Sequence, residues 1–176
     1  MHLFRYLYVG ALVLLLSVSA QAGQTEKTVQ QMEALTKLAL EQALQAIATQ
    51  GLVYPFALLQ NGEDKLAVVS YTGEPDQRPP DEQYAAALVQ LVRQETTANL
   101  AQRNAVVVRQ SVLTTDAGES YQGIWVLTDH RDADQAKILF QTLVPSKDGK
   151  TRTIGQVLVE PSNISLFARN KPAAKK

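Results

Sequence analysis

The chain has 176 residues, of which 45% are hydrophobic and none is cysteine, and its 17 basic residues are balanced by 17 acidic ones. That balance excludes the basic footprint of a nucleic-acid binder. The missing cysteines exclude disulfides, a lipid attached at cysteine and the sulfur ligands of a zinc site, so the fold rests on its core.

The first residues read as an address. Arg5 precedes an apolar run over residues 7–18, and Ala20-Gln21-Ala22 follows. Charged start, apolar middle and small-x-small site are the parts of a cleavable signal peptide. The apolar run is short of the ~20 residues that span a bilayer. Residues 1–22 are therefore expected to be removed after Ala22, leaving a periplasmic protein with no membrane attachment. There is no twin-arginine pair, so the chain is expected to cross the membrane unfolded. Residues 23–168 have the length of one domain, which buries about 70% of its unfolded surface. Residues 169–176 carry Lys171, Lys175 and Lys176 among Pro and Ala and read as a flexible basic tail.

Residues 25–50 are predicted to form a helix. Val29, Met32, Leu35, Ala39 and Ala43, with Leu40, Leu44 and Ile47, fall at three- and four-residue steps. Thr28 with Gln31 forms a candidate capping box, with Thr25 as an alternative cap, and Gly51 is placed to stop the helix. A hairpin follows, from Val53 to Leu59 and from Leu66 to Tyr71. Its predicted turn is Asn61-Gly62, both positions of which accept positive φ. Pro55 is expected at the start of its strand. Thr72 to Pro80 reads as an irregular Pro-rich loop, a candidate partner-binding surface. Asp81 and Glu82 then open a second helix, with Tyr84, Ala87, Leu88, Leu91 and Val92 on its buried face and an end near Ala101.

The last third reads as strands. Residues 105–113 centre on Val106-Val107-Val108, and residues 121–128 contain Trp125, the chain's one tryptophan. Residues 136–144 set Ile138 and Phe140 on one face and Leu139 and Leu143 on the other, as a central strand does. Residues 153–160 are the final strand. Turns are expected at Asp116-Ala117-Gly118, at His130-Arg131-Asp132-Ala133 and at Lys147 to Lys150. The order α-β-β-α-β-β-β-β has no alternating βαβ series, so the predicted fold is α+β. It is a single domain with a mainly antiparallel sheet of four to six strands and two helices.

The chemistry-bearing motifs are few. Asp129-His130-Arg131-Asp132 is the most polar cluster, and an enzyme centred on Asp129, His130 and Arg131 is one reading. The competing reading is a solvated turn between two strands. Asp129, Asp132 and Asp134 lack the glycine and terminal glutamate of a calcium loop. There is no Gly-x-Ser-x-Gly, no phosphate-cradling glycine loop and no dinucleotide fingerprint. Glu63-Asp64 and Asp81-Glu82 are adjacent pairs, suited to a turn and a helix start rather than to two walls of a cleft. Asn163-Ile164-Ser165 is a chance glycosylation tripeptide. No catalytic, cofactor-binding or metal-binding residue is assigned.

The segments Tyr54-Pro55-Phe56-Ala57-Leu58-Leu59-Gln60-Asn61-Gly62-Glu63 and Ile124 to Pro145, with its Asp129-His130-Arg131-Asp132 connection, resemble two hairpins of a family of small uncharacterised bacterial proteins. The likeness spans Leu52 to Pro145. It implies the same strand order; the family has no assigned activity, so no functional residue carries over. The signal peptide departs from that family, whose members look cytosolic. The expected function is a non-catalytic periplasmic binding module of accessory or immunity type, requiring no cofactor. Its expected partner is a protein, met through Thr72–Pro80 or a sheet edge. The alternatives are the enzyme centred on Asp129 and a structural or envelope-stress protein that self-associates through a sheet edge.

Overall fold

Two amphipathic helices and six strand-forming runs give the chain more apolar faces than any one element can cover. A sheet with a helix on each side resolves this. The structure, a computed structural model, describes residues 26–145 and 152–169. The expected leader, the Lys147 to Lys150 turn and the three tail lysines lie outside the described residues.

The elements run α1 (Glu26–Gln50), β1 (Phe56–Asn61), β2 (Leu66–Ser70), α2 (Asp81–Ala98), β3 (Gln102–Thr114), β4 (Ser120–His130), β5 (Lys137–Pro145) and β6 (Arg152–Pro161). They form the α+β domain expected, with one six-stranded sheet in the order β2-β1-β3-β4-β5-β6. Every neighbouring pair is antiparallel.

Side-chain alternation sorts the core into two layers. Leu58, Val106, Val108, Ile124, Val126, Leu139 and Leu143 face α1 and meet Leu35, Ala39, Leu40 and Ala43. Ala39 and Ala43 are wholly buried, so α1 approaches the sheet closely there. Ala57, Leu59, Ala105, Val107 and Leu127 face the other way and meet Leu88 and Val92 of α2. Leu166 and Phe167, beyond the last strand, complete this second layer.

The local signals are met with four differences. Gly51 ends α1 at φ 78°, and its N–H donates to Ile47 O at 2.9 Å. Thr28 lies one turn inside α1 and is buried, so it is not the cap. In the first hairpin the positive φ falls on Asp64, not on Asn61 or Gly62. The Asn61 side chain organises that turn, its Oδ1 accepting from the N–H groups of Glu63 and Lys65, each at 2.9 Å. The Pro-rich loop holds a short 3-10 turn, Pro75–Gln77. The buried stripe of α2 is Ala85, Leu88, Val92 and Thr96, whereas Leu91 and Ala87 face solvent.

Candidate functional site

Asp129, His130 and Arg131 do not form one site. Asp129 and His130 are the last residues of β4, and both are buried in the fold, at 0% and 2% exposure. The solvated-turn reading therefore fails for them. Alternation sends Asp129 toward the α2 side and His130 toward α1, and Arg131 lies beyond the strand end.

Asp129 holds the C-terminal segment, residues 162–169, on the sheet. Its Oδ2 accepts from Ser165 Oγ at 2.9 Å, the Leu166 N–H at 2.7 Å and the Phe167 N–H at 3.3 Å. Its Oδ1 accepts from the His130 N–H at 2.8 Å and from Arg169 Nη2. Burial pushes the Asp129 carboxyl above the ordinary range. The Arg169 guanidinium, the Leu166 N–H, the Ser165 hydroxyl and the His130 N–H pull against that rise. With five donors on two oxygens, the carboxylate is committed to structure.

Arg131 is committed too. Its Nε donates to Gln102 O at 2.8 Å, and its Nη2 donates to Thr96 O at 2.6 Å and Asn99 O at 3.3 Å. The carbonyls of Thr96 and Asn99 belong to the end of α2, where helix carbonyls lack partners and a cation is favoured. The guanidinium also lies 5.0 Å from the Phe167 ring centroid. The residues that complete this clasp, Thr96, Ser165, Leu166, Phe167 and Arg169, were missed in the sequence. Their one signal was the apolar group Ile164, Leu166 and Phe167 after Pro161. Arg169, assigned from sequence to the flexible tail, is anchored to Asp129 and to Ala133 O.

His130 is held neutral. Its Nδ1 accepts the Asp132 N–H at 3.1 Å, so the ring proton is on Nε2. Burial pushes its pKa below the usual 6.5, with Arg103 and Arg131 acting in the same direction and Asp132 and Asp129 against it. The stability contributed by the neutral ring is present above about pH 6.5 and is lost as pH falls through the lowered folded-state pKa. Wild type should therefore lose more stability than His130→Asn, which keeps an acceptor for the Asp132 N–H, between about pH 7.5 and 5. Parallel urea-denaturation curves for the two proteins across that range would overturn this assignment.

The open surface of the fold lies elsewhere. α2 packs on β3 and β1, and the C-terminal segment covers the face beside Leu127 and Asp129. A groove of about 270 Å³ runs along the rest of this face, lined by Arg109, Ser111, Trp125, Ile138, Phe140, Leu158 and Glu160 among others. Register aligns its floor: Arg109 is opposite Trp125, Trp125 opposite Phe140, and Phe140 opposite Leu158. With strands roughly 4.8 Å apart, this row is about 14 Å long across four strands. The Arg109 guanidinium sits 5.1 Å from the Trp125 ring centroid. Its carboxylate contact, Glu82 at 3.9 Å, is almost fully exposed and so contributes little.

The Pro-rich loop stands at the α2 start, beside this groove. Tyr54 stacks on Tyr84 at 5.0 Å and meets Tyr71 edge-on at 6.0 Å. The Tyr54 hydroxyl donates to Pro79 O at 2.8 Å, and Arg78 lies over the Tyr54 ring. These contacts pin the loop to the domain. Among the described residues, no three His, Cys, Asp or Glu side chains are grouped to hold a metal. No helix among them is long and apolar enough to cross a membrane. Comparison with protein-family models, curated proteins and solved structures finds no match.

Proposed function

We propose that this protein is an exported, non-catalytic binding module that receives a partner polypeptide in the groove built on Trp125. The observation that supports the reading is the row Arg109–Trp125–Phe140–Leu158 on a sheet face that α2 leaves open. A half-buried tryptophan beside an arginine with unused donors is the residue pair that dominates many protein interfaces. A partner segment that lays an apolar side chain on Trp125 and sets a carboxylate beside Arg109 uses both. Export rests on the signal-peptide pattern of Met1 to Ala22 and is checked by sequencing the N-terminus of the periplasmic protein, which should begin at Gly23. The enzyme reading has less support, because Asp129, His130 and Arg131 diverge, and the Asp129 carboxylate and the Arg131 guanidinium are bonded into the fold.

The test is affinity capture from host periplasmic extract with the full chain expressed with its leader, wild type against Trp125→Ala and Arg109→Glu. One stoichiometric polypeptide should be retained by wild type and reduced by about tenfold or more in each variant, with far-UV circular dichroism unchanged. No stoichiometric partner, or one held equally by the variants, would overturn the proposal.

A further inference from the structure

The two edges of the sheet are built differently. β6 carries a bulge: Gln141 is opposite Val157 and Leu143 is opposite Ile154, so Gly155 and Gln156 both stand across from Thr142. Gln141 Nε2 donates to Gly155 O at 3.0 Å, and Thr142 Oγ1 donates to Gln156 O at 2.9 Å. A bulge interrupts the ladder and twists an edge away from a new strand, which is one way sheets prevent edge pairing.

β2 has no such device. Its residues Leu66 to Ser70 pair one for one with Gln60 to Phe56, without a register shift. None of the five is charged and none is proline. Its other side pairs with no strand among the described residues, so a row of backbone N–H and C=O groups is left open. Leu66 and Val68 lie on the α1 side of the sheet and are 49% and 61% exposed. A flat, uncharged, apolar edge is the form that accepts another strand.

We infer that β2 pairs antiparallel with β2 of a second copy of this chain, about a twofold axis at Val68. A twofold perpendicular to the sheet keeps each face continuous, so paired residues must come from the same face. Centring on Val68 satisfies this and uses all five residues. Val68 meets its own mate, Ala67 meets Val69, and Leu66 meets Ser70. Beyond the strand, Lys65 falls opposite Tyr71 and Asp64 opposite Thr72, so no like charges face each other across the pairing. In this register the exposed Val68 covers its own mate on the axis and no like charges are opposed, which fits the edge to a second copy. The product is a continuous twelve-stranded sheet that leaves both Trp125 grooves open, so the inference is independent of the groove's partner.

Sedimentation of the full chain purified after export should show a concentration-dependent monomer–dimer equilibrium. Val68→Lys puts two ammonium groups across the axis and should weaken the dimer by about tenfold or more, with the melting temperature of the monomer preserved. The native chain has no cysteine, so a single introduced thiol reports self-pairing. Val68→Cys should oxidise to a covalent dimer. Ser70→Cys, on the same face but opposite Leu66, should not. A monomer at every concentration, a dimer indifferent to Val68→Lys, or equal cross-linking by the two cysteine variants would each overturn the inference. So would a β2 edge that engages only an unrelated polypeptide.

Discussion

Asp129→Ala should destabilise the protein by about 3–5 kcal/mol, the cost of removing one partner from a buried ion pair. A domain of this size then melts roughly 10 °C lower. The deletion strands the Leu166 N–H and takes one acceptor each from the Phe167 N–H, the Ser165 hydroxyl and the Arg169 guanidinium. Arg169→Met leaves the Asp129 carboxyl its four other donors, so it should cost clearly less. Urea denaturation of the two variants measures both numbers. A loss below about 1 kcal/mol for Asp129→Ala would mean that the C-terminal segment is held by the burial of Leu166 and Phe167 alone. The segment should also become the first site of proteolytic nicking in Asp129→Ala, because its backbone is what the carboxylate ties down.

Gly123→Ala is the second large effect expected, and it is steric. A Cβ on Gly123 would lie 2.5 Å from Phe140 Cζ and 2.6 Å from Gln141 O. The ring has somewhere to go, but the carbonyl belongs to β5, and moving it opens the β4–β5 ladder in which Gly123 faces Thr142. The expected loss is about 2–3 kcal/mol, the upper part of the ~1–3 kcal/mol range for overpacking a well-filled site. Gly123→Ala in a Phe140→Leu background separates the two clashes. A partial recovery assigns the remainder to the backbone oxygen, and full recovery assigns all of it to the ring. A single-variant loss under about 0.5 kcal/mol would show that β4 and β5 accommodate the methyl without strain.

Much of the fold was legible because its signals are local. Gly51 stops α1, the alternation of residues 136–144 marks β5 as a strand buried on both faces, and short polar turns give antiparallel neighbours. Each of these depends on residues only a few positions apart. What was not legible depends on distance along the chain. Asp129 looks like a turn residue until Ser165, Leu166 and Phe167 arrive to satisfy it from 36 residues away or more. Thr96 counts as polar and exposed by composition, yet it is wholly buried because its hydroxyl donates to Leu166 O at 2.6 Å. The buried stripe of α2 runs through Ala85, Leu88, Val92 and Thr96 and leaves out Leu91, which apolar periodicity would have kept inside. The Trp125 groove could not be read either. Periodicity assigns a residue to a sheet face, but only the placement of α2 over β1 and β3 shows which part of that face stays open.

The C-terminal clasp also sets an order of events in time. Leu166, Phe167 and Arg169 leave the ribosome after all six strands, yet they finish the second core layer and neutralise the Asp129 carboxylate. Until they emerge, the chain carries a buried charge without its counterion and an apolar hollow without its fill. A nascent chain in that condition gains little by collapsing early. For the exported module proposed above, a closure delivered last keeps the chain threadable until its final residues have passed.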